Sequence, residues 1–396
     1  MSTQCGALSG TRVLDLTGHY PGALCTMMLA DAGAEVVKVE RPPAGDPSRM
    51  ELPVFAVTGR SRRSIIIDLK DPAGKDVLWR LIDTADVLIE GFRPGKLASL
   101  GFGDEEVRCR HPQLVYCSLS GFGQSGPWRD VPGHDLSYLA LAGALHTWVR
   151  EAGMVTPTIS LADVVAAMLA AYAITLGILS AQRTKEGQNV DISLFDAGLF
   201  TAMLDYGQRI VLGTDPERGV NSAIPHYRLF RCAEETALAL AIVNEDPFWQ
   251  SLTRALGLPE WERFSHPERL AHAEEIIDRL KTIFERSPAS HWQKLLLSHD
   301  VPCGEVLSPG KAWTGTHARA RGFVRPTDSA EGITPHLLTP IASEVMLGQA
   351  GTGLPEPGEH TVELLGELGF ASEVINRLLG SSAVIGYVPT TSAEGE

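Results

Sequence analysis

The sequence predicts an α/β protein in two parts, a large domain built on a parallel sheet and a smaller α+β domain. Apolar runs rich in β-branched residues alternate with helical runs over the N-terminal third. A polar, glycine-punctuated stretch then interrupts the chain at 213–227, and short strands with charged amphipathic helices follow it.

Residues 12–42, RVLDLTGHYPGALCTMMLADAGAEVVKVERP, give strand, helix and strand, one βαβ unit. RSIIIDL is the next buried strand, PAGKDVLWRLIDTA an amphipathic helix opening at its proline, DVLIEGF a further strand and QLVYCSLSGFG another. Such a sheet is covered by helices on both faces, and its ligands belong in the loops beyond the carboxyl ends of the strands. From Asp163 to about Arg183, DVVAAMLAAYAITLGILSAQR is a long helix so rich in Ala, Leu and Ile that both faces are expected to be covered. The boundary stretch separates a large domain, 1–212, from a linker and small domain, 213–325, and the C-terminal segment is 326–396. Within the small domain LFRCA and LALAIV are strands and HAEEIIDRLKTIFE a helix, whereas the end, SAVIGYVPTTSAEGE, is expected to fray.

Composition narrows the function classes. A formal net charge of −14 repels nucleic acid and anionic membrane surfaces over a Debye length of about 8 Å, so an anionic ligand needs a locally basic pocket. The six cysteines are scattered, with no His/Cys cluster at metal-ligand spacing. Free thiols, a cytoplasmic location and no metal are expected. The N-terminus lacks a basic segment followed by an apolar core, and no window is expected to be apolar enough to span a membrane.

GFGQSG at 121–126 matches the dinucleotide-binding pattern and follows a predicted strand. Its third glycine ought to lie inside a helix, yet Pro127, Trp128 and RDVPG follow, so a tight loop is expected instead of a nicotinamide site. VPGHDLSYLALAGALH, 131–146, sets His134 and Asp135 directly ahead of a helical run. Two readings stand for that pair: a loop histidine with Asp135 as N-cap, or groups that handle protons.

Several segments together resemble the class III CoA-transferase and α-methylacyl-CoA racemase family: RVLDLT…PGALCTMMLADAGAEVVKVERPPAGDPSR, RSIIIDLKDPAGK, ADVLIEGFRPGKLASLGFG, LVYCSLSGFGQSGPW…PGHD, SLADVVAAMLAAYAI…GQNVDISLFDA, VPCGEV and PGEHT. The resemblance covers most of the chain. It implies a Rossmann-like large domain completed by the C-terminal segment, a small domain, and an interlocked homodimer. It also implies acyl-CoA thioesters as substrates, with no tightly bound cofactor. Residue by residue, it places CoA contacts at Arg41, Lys70, Phe92 and Arg93, which suits a pyrophosphate, a 3′-phosphate and an adenine ring. Gly91 and Ser99 depart from the family's usual asparagine and arginine.

The resemblance aligns Asp163 with the aspartate that the family uses for chemistry. In transfer, this carboxylate attacks the thioester, CoA thiolate opens the mixed anhydride to an aspartyl-CoA thioester, and a small carboxylic acid reverses the sequence. Amides at the start of the following helix are expected to stabilise the oxyanions. Asp163 also suits a helix N-cap. His134 with its acidic neighbour Asp135 matches the racemases instead, where the histidine and the downstream aspartate are paired bases for an α-proton and Glu245 matches a glutamate near the base. DVVAAM and DISLFDA look more like the transferases, and CoA transfer is favoured over racemisation because it needs only Asp163, whereas racemisation also needs a correctly placed second base. A binding protein that holds acyl-CoA without turnover is the third class, and it predicts tight binding unaffected by Asp163→Asn.

Overall fold

A computed structural model of the protein describes residues 6–43, 45–329, 332–341 and 353–387. Strands Arg12–Leu16 (β1), Glu35–Glu40 (β2), Arg62–Ile67 (β3), Val87–Glu90 (β4), Val115–Ser120 (β5) and Asn189–Ser193 (β6) form one parallel array in the order β3-β2-β1-β4-β5-β6. The mixed α/β reading and its parallel sheet hold. Chain direction reverses across the sheet between β1 and β4, because β2 and β3 step one way from β1 and β4 to β6 step the other. Loops leaving the carboxyl ends of those two strands therefore diverge and open a crevice.

A seventh strand corrects the expected frayed tail. Val384 and Ile385 pair antiparallel with Ile67 and Ile66 of β3, and Val384 is buried among Ile65, Ile67, Leu364 and Leu378. Burying an apolar pair at the sheet edge removes both unpaired backbone groups and apolar surface from water. The remainder of the tail, 388–396, lies outside the described residues.

Helix Leu161–Thr184 begins two residues before Asp163. Ala162, Ala166, Ala170 and Ile174 are fully buried, and Gly177 presses so closely on Val115 that an added Cβ would stand 2.9 Å from its side chain. The opposite face carries Met168, Tyr172, Leu176 and Leu179, exposed at 53, 65, 47 and 42%. Both faces were expected to be covered; within this chain one is. By length and composition this helix is also apolar enough to cross a membrane, contrary to the expectation that no window is; its alanine stripe nevertheless packs on the sheet.

The chain divides into two compact units: the described residues of 1–144, 156–202 and 320–396, and those of 145–155 and 203–319. Helix Met203–Leu212 and segment 145–155 thus join the second unit, and Thr147 Oγ1 donates 2.8 Å to Asp205 between them. Strands Tyr227–Arg231 (β7), Ala237–Ala241 (β8) and Cys303–Glu305 (β9) form its antiparallel sheet, packed on a core of Trp249, Ile276, Phe284 and Trp292.

Candidate active site

A buried charge network holds the loop after β1. Asp15 accepts from the amide and hydroxyl of Thr17 (2.9 and 2.6 Å) and from the Thr26 hydroxyl (2.8 Å). Lys38 on β2 reaches Asp15 at 3.0 Å, Asp46 at 2.8 Å and the Thr17 carbonyl. Burial works against the Asp46 carboxylate, but Lys38 and the Ser48 amide hold it down at about 2. A charge this well paired fixes Thr17–Gly18–His19 over the crevice. Gly91, at the end of β4, lies against the same loop, since a Cβ there would stand 3.4 Å from Thr17 Cα.

Two cavities of about 1000 and 1200 Å³ meet at Thr17, Gly18, His19, Gly91, Phe92 and Arg93, above the switch point. The larger runs over β2 and β3 and is lined by Arg41, Lys70, Phe92, Arg93 and Lys96. All the CoA contacts that the resemblance implies thus share one groove. Among the described residues these four cations take part in no ion pair with the protein. Lys96 was missed in the sequence reading. Its neighbour Ser99 turns its hydroxyl back to the Lys96 carbonyl at 2.7 Å, so Lys96 supplies a cation in the segment where the family arginine is lacking. The signal was there: Lys96 lies one turn before the substituted position.

The smaller cavity extends over β5 and β6 and is lined by His19, Tyr20, Glu51, Arg129, His134, Tyr138 and Asp163. The GFGQSG stretch runs into a loop and not a helix, and helix Asp135–Leu141 starts only beyond Gly133. The dinucleotide geometry is therefore lacking there. Cβ atoms added at Gly121 and Gly133 would stand 2.7 Å from the Tyr138 hydroxyl and 2.5 Å from its ring, respectively; both glycines leave room for the side chain beside the cavity. Burial and the nearby Asp163 push the Tyr138 hydroxyl up to about 12, so it stays a proton donor.

Two helix-cap expectations need correction. Ser160, and not Asp163, occupies the N-cap of helix Leu161–Thr184, and His134, and not Asp135, occupies that of helix Asp135–Leu141. Asp135 instead reaches across to the longer helix, where its carboxylate accepts from the amides of Asp163, at 3.1 Å, and Ala162. Those amides, expected to stabilise oxyanions, already have an acceptor. Asp163 itself is partly buried, and its carboxyl is pushed up to about 7 by burial first, then by the charges of Asp135 and Glu51. Glu245 lies in the second unit as N-cap of helix Asp246–Leu256, exposed, its carboxylate held low by its own amide and then by those of Val243 and Asn244. Among the described residues no group of three or more His, Cys, Asp or Glu is arranged to hold a metal ion.

A parallel-sheet enzyme cleft with a cationic arm and a carboxyl poised near neutrality is the class that this geometry defines. The model of CoA-transferase family III matches residues 8–361, and the chain belongs to that family. It is 32% identical over 382 residues to human α-methylacyl-CoA racemase, covering 94% of this chain and 96% of that protein. It is 31% identical over 391 residues to succinate–glutarate CoA-transferase of Agrobacterium fabrum, covering 91 and 95%. A solved CAIB/BAIF family protein from Brucella suis superposes with a TM-score of 0.80 at 26% identity, covering 91% of this chain and 99% of that one. The family of transferases and racemases supports an enzyme acting on CoA thioesters.

Proposed function

We propose that this chain moves the α-proton of an acyl-CoA thioester and inverts the carbon that carries it, with His134 and Asp163 as the two proton carriers. The observation that carries this reading is the bond from Asp135 to the Asp163 and Ala162 amides. It sets a negative charge beside Asp163 that favours its protonated form, which returns a proton and is no nucleophile. In one direction neutral His134 takes the α-proton, the electron pair delocalises onto the thioester oxygen, and the Asp163 carboxyl returns a proton to the opposite face. In the other direction the roles exchange. A carboxyl near 7 and an imidazole divide that work well at neutral pH.

CoA transfer through Asp163 is the second reading. It is favoured by the fraction of Asp163 that is ionised at pH 7 and by the succinate–glutarate transferase likeness. There the carboxylate displaces CoA thiolate to form a mixed anhydride, the thiolate releases the acyl acid and leaves an aspartyl-CoA thioester, and an acceptor acid regenerates Asp163. Incubation with a 2-methylacyl-CoA in deuterated water, followed by hydroxylamine, separates the two. Deuterium at the α-carbon without an acceptor acid is the expected result. An Asp163 hydroxamate with no α-exchange sinks the racemase reading in favour of transfer.

The CoA phosphates are assigned to Arg41, Lys70, Arg93 and Lys96, and the adenine to the half-buried Phe92. Lys96→Ala is expected to raise KM for acyl-CoA roughly five- to tenfold, about one charged contact in an open groove. The same thioester on pantetheine, which lacks the nucleotide, is expected to show no change. A homodimer is likewise proposed: the apolar stripe Met168, Tyr172, Leu176 and Leu179 is exposed in a single chain, and a second copy is the partner that buries it. Sedimentation of the intact chain as a monomer at micromolar concentration argues against this.

A further inference from the structure

Resting on the acid/base reading above, we infer that His19, held by Glu51, is a proton-relay residue that carries the proton taken up by the exposed His134 away from the reacting carbon. His19 lines the cavity with His134, Glu51 and Asp163. Its Nδ1 lies 3.3 Å from Glu51 Oε1. Its ring stands edge-on to His134, with centroids 6.5 Å apart and planes at 87°. That separation is within the span of one bridging water. The other candidate support for His134, Asp135, is committed to the amides of Ala162 and Asp163.

The chemistry follows from the bond to Glu51. A carboxylate only accepts hydrogen bonds, so the Nδ1–H of His19 donates to it and Nε2 is left as the basic nitrogen. After His134 has taken the α-proton, its imidazolium passes a proton through the bridging water to His19 Nε2. The His19 imidazolium then releases a proton to solvent. Only N–H and O–H bonds form and break, and no electrons change hands. Residue 19 is also held at φ +64° on the first position of helix His19–Asp31. A left-handed backbone is uncommon outside glycine, and local strain of this kind concentrates at functional sites.

The test uses the full-length enzyme with an α-deuterated 2-methylacyl-CoA. His19→Asn is the variant of choice, because asparagine tolerates a positive φ. Turnover is expected to fall roughly tenfold or more, at the lower end of what one proton-transfer group contributes, with KM unchanged. Imidazole added to the buffer is expected to restore kcat in the variant and to leave the unsubstituted enzyme unaffected, which a merely structural residue does not do. His19→Gly, which suits the positive φ equally, carries the test if His19→Asn fails to fold, with the same loss of kcat and the same relief by imidazole expected. Unchanged kcat, or a loss that imidazole does not relieve, overturns the relay while the acid/base reading stands. Unsubstituted enzyme that releases no α-deuterium overturns both.

Discussion

Asp163→Asn is expected to lower kcat by about a thousandfold, within the 10²–10⁴ range for a general acid or base, while the folded chain becomes more stable at neutral pH. The two effects have one source. Burial, Asp135 and Glu51 raise the Asp163 carboxyl from 3.8 to about 7, so between those pH values the folded chain holds a proton that the unfolded chain has released. Stability is then unimpaired by this group below pH 3.8 and declines as pH rises towards 7, because the unfolded state binds fewer protons. An amide does not ionise and escapes that decline. The gain is on the order of 1–4 kcal/mol at pH 7 and above, discounted for partial solvent access. Melting of both proteins at pH 5 and pH 8 checks the sign: the variant's advantage must grow with pH. A variant that keeps its turnover removes Asp163 from the chemistry, whereas no turnover of any acyl-CoA by the unsubstituted chain, with binding unaffected by the substitution, leaves the binding-protein class standing. A variant that is inactive and equally stable at both pH values contradicts the raised carboxyl.

Asp135 gives the second large effect. Asp135→Ala leaves the Ala162 and Asp163 amides without their acceptor and is expected to cost about 1–2 kcal/mol, as for loss of a helix cap. Asp135→Asn keeps an oxygen acceptor and loses only the charge. With that charge gone, the Asp163 carboxyl falls back towards the ordinary carboxylate range, since Asp135 is the larger of the two charges holding it up. The limb of the pH–rate profile that requires protonated Asp163 then moves to lower pH, and turnover at pH 7 to 8 falls roughly ten- to a hundredfold. An unshifted limb for Asp135→Asn means that burial and Glu51 set the Asp163 carboxyl without Asp135.

The main strands were legible because each is a short buried run, such as Ile65–Ile67 or Val87–Ile89, that water excludes on both faces. Pro72 behind the cap Asp71 opened its helix as expected. The strand Val384–Ile385 was not legible, for two residues between serines and a glycine carry no periodicity. The exposed face of Leu161–Thr184 was misread because an apolar face looks the same in sequence whatever comes to cover it.

The site divides along the same line. The stretch before the helical run marked His134, the family resemblance marked Asp163 and the cations of the cleft, and the loop-after-strand rule indicated the loops that carry them. Tertiary structure alone decided which group serves which. Asp135 binds amides 27 and 28 residues away instead of its own helix, and Glu51 comes to His19 from 32 residues off. The sequence by itself determined the parallel sheet and the chemical inventory of its loops, because burial and period are properties of short segments. Which carboxyl stands near neutrality depends on desolvation and on charges a few ångströms away, and those distances exist only after the chain has folded.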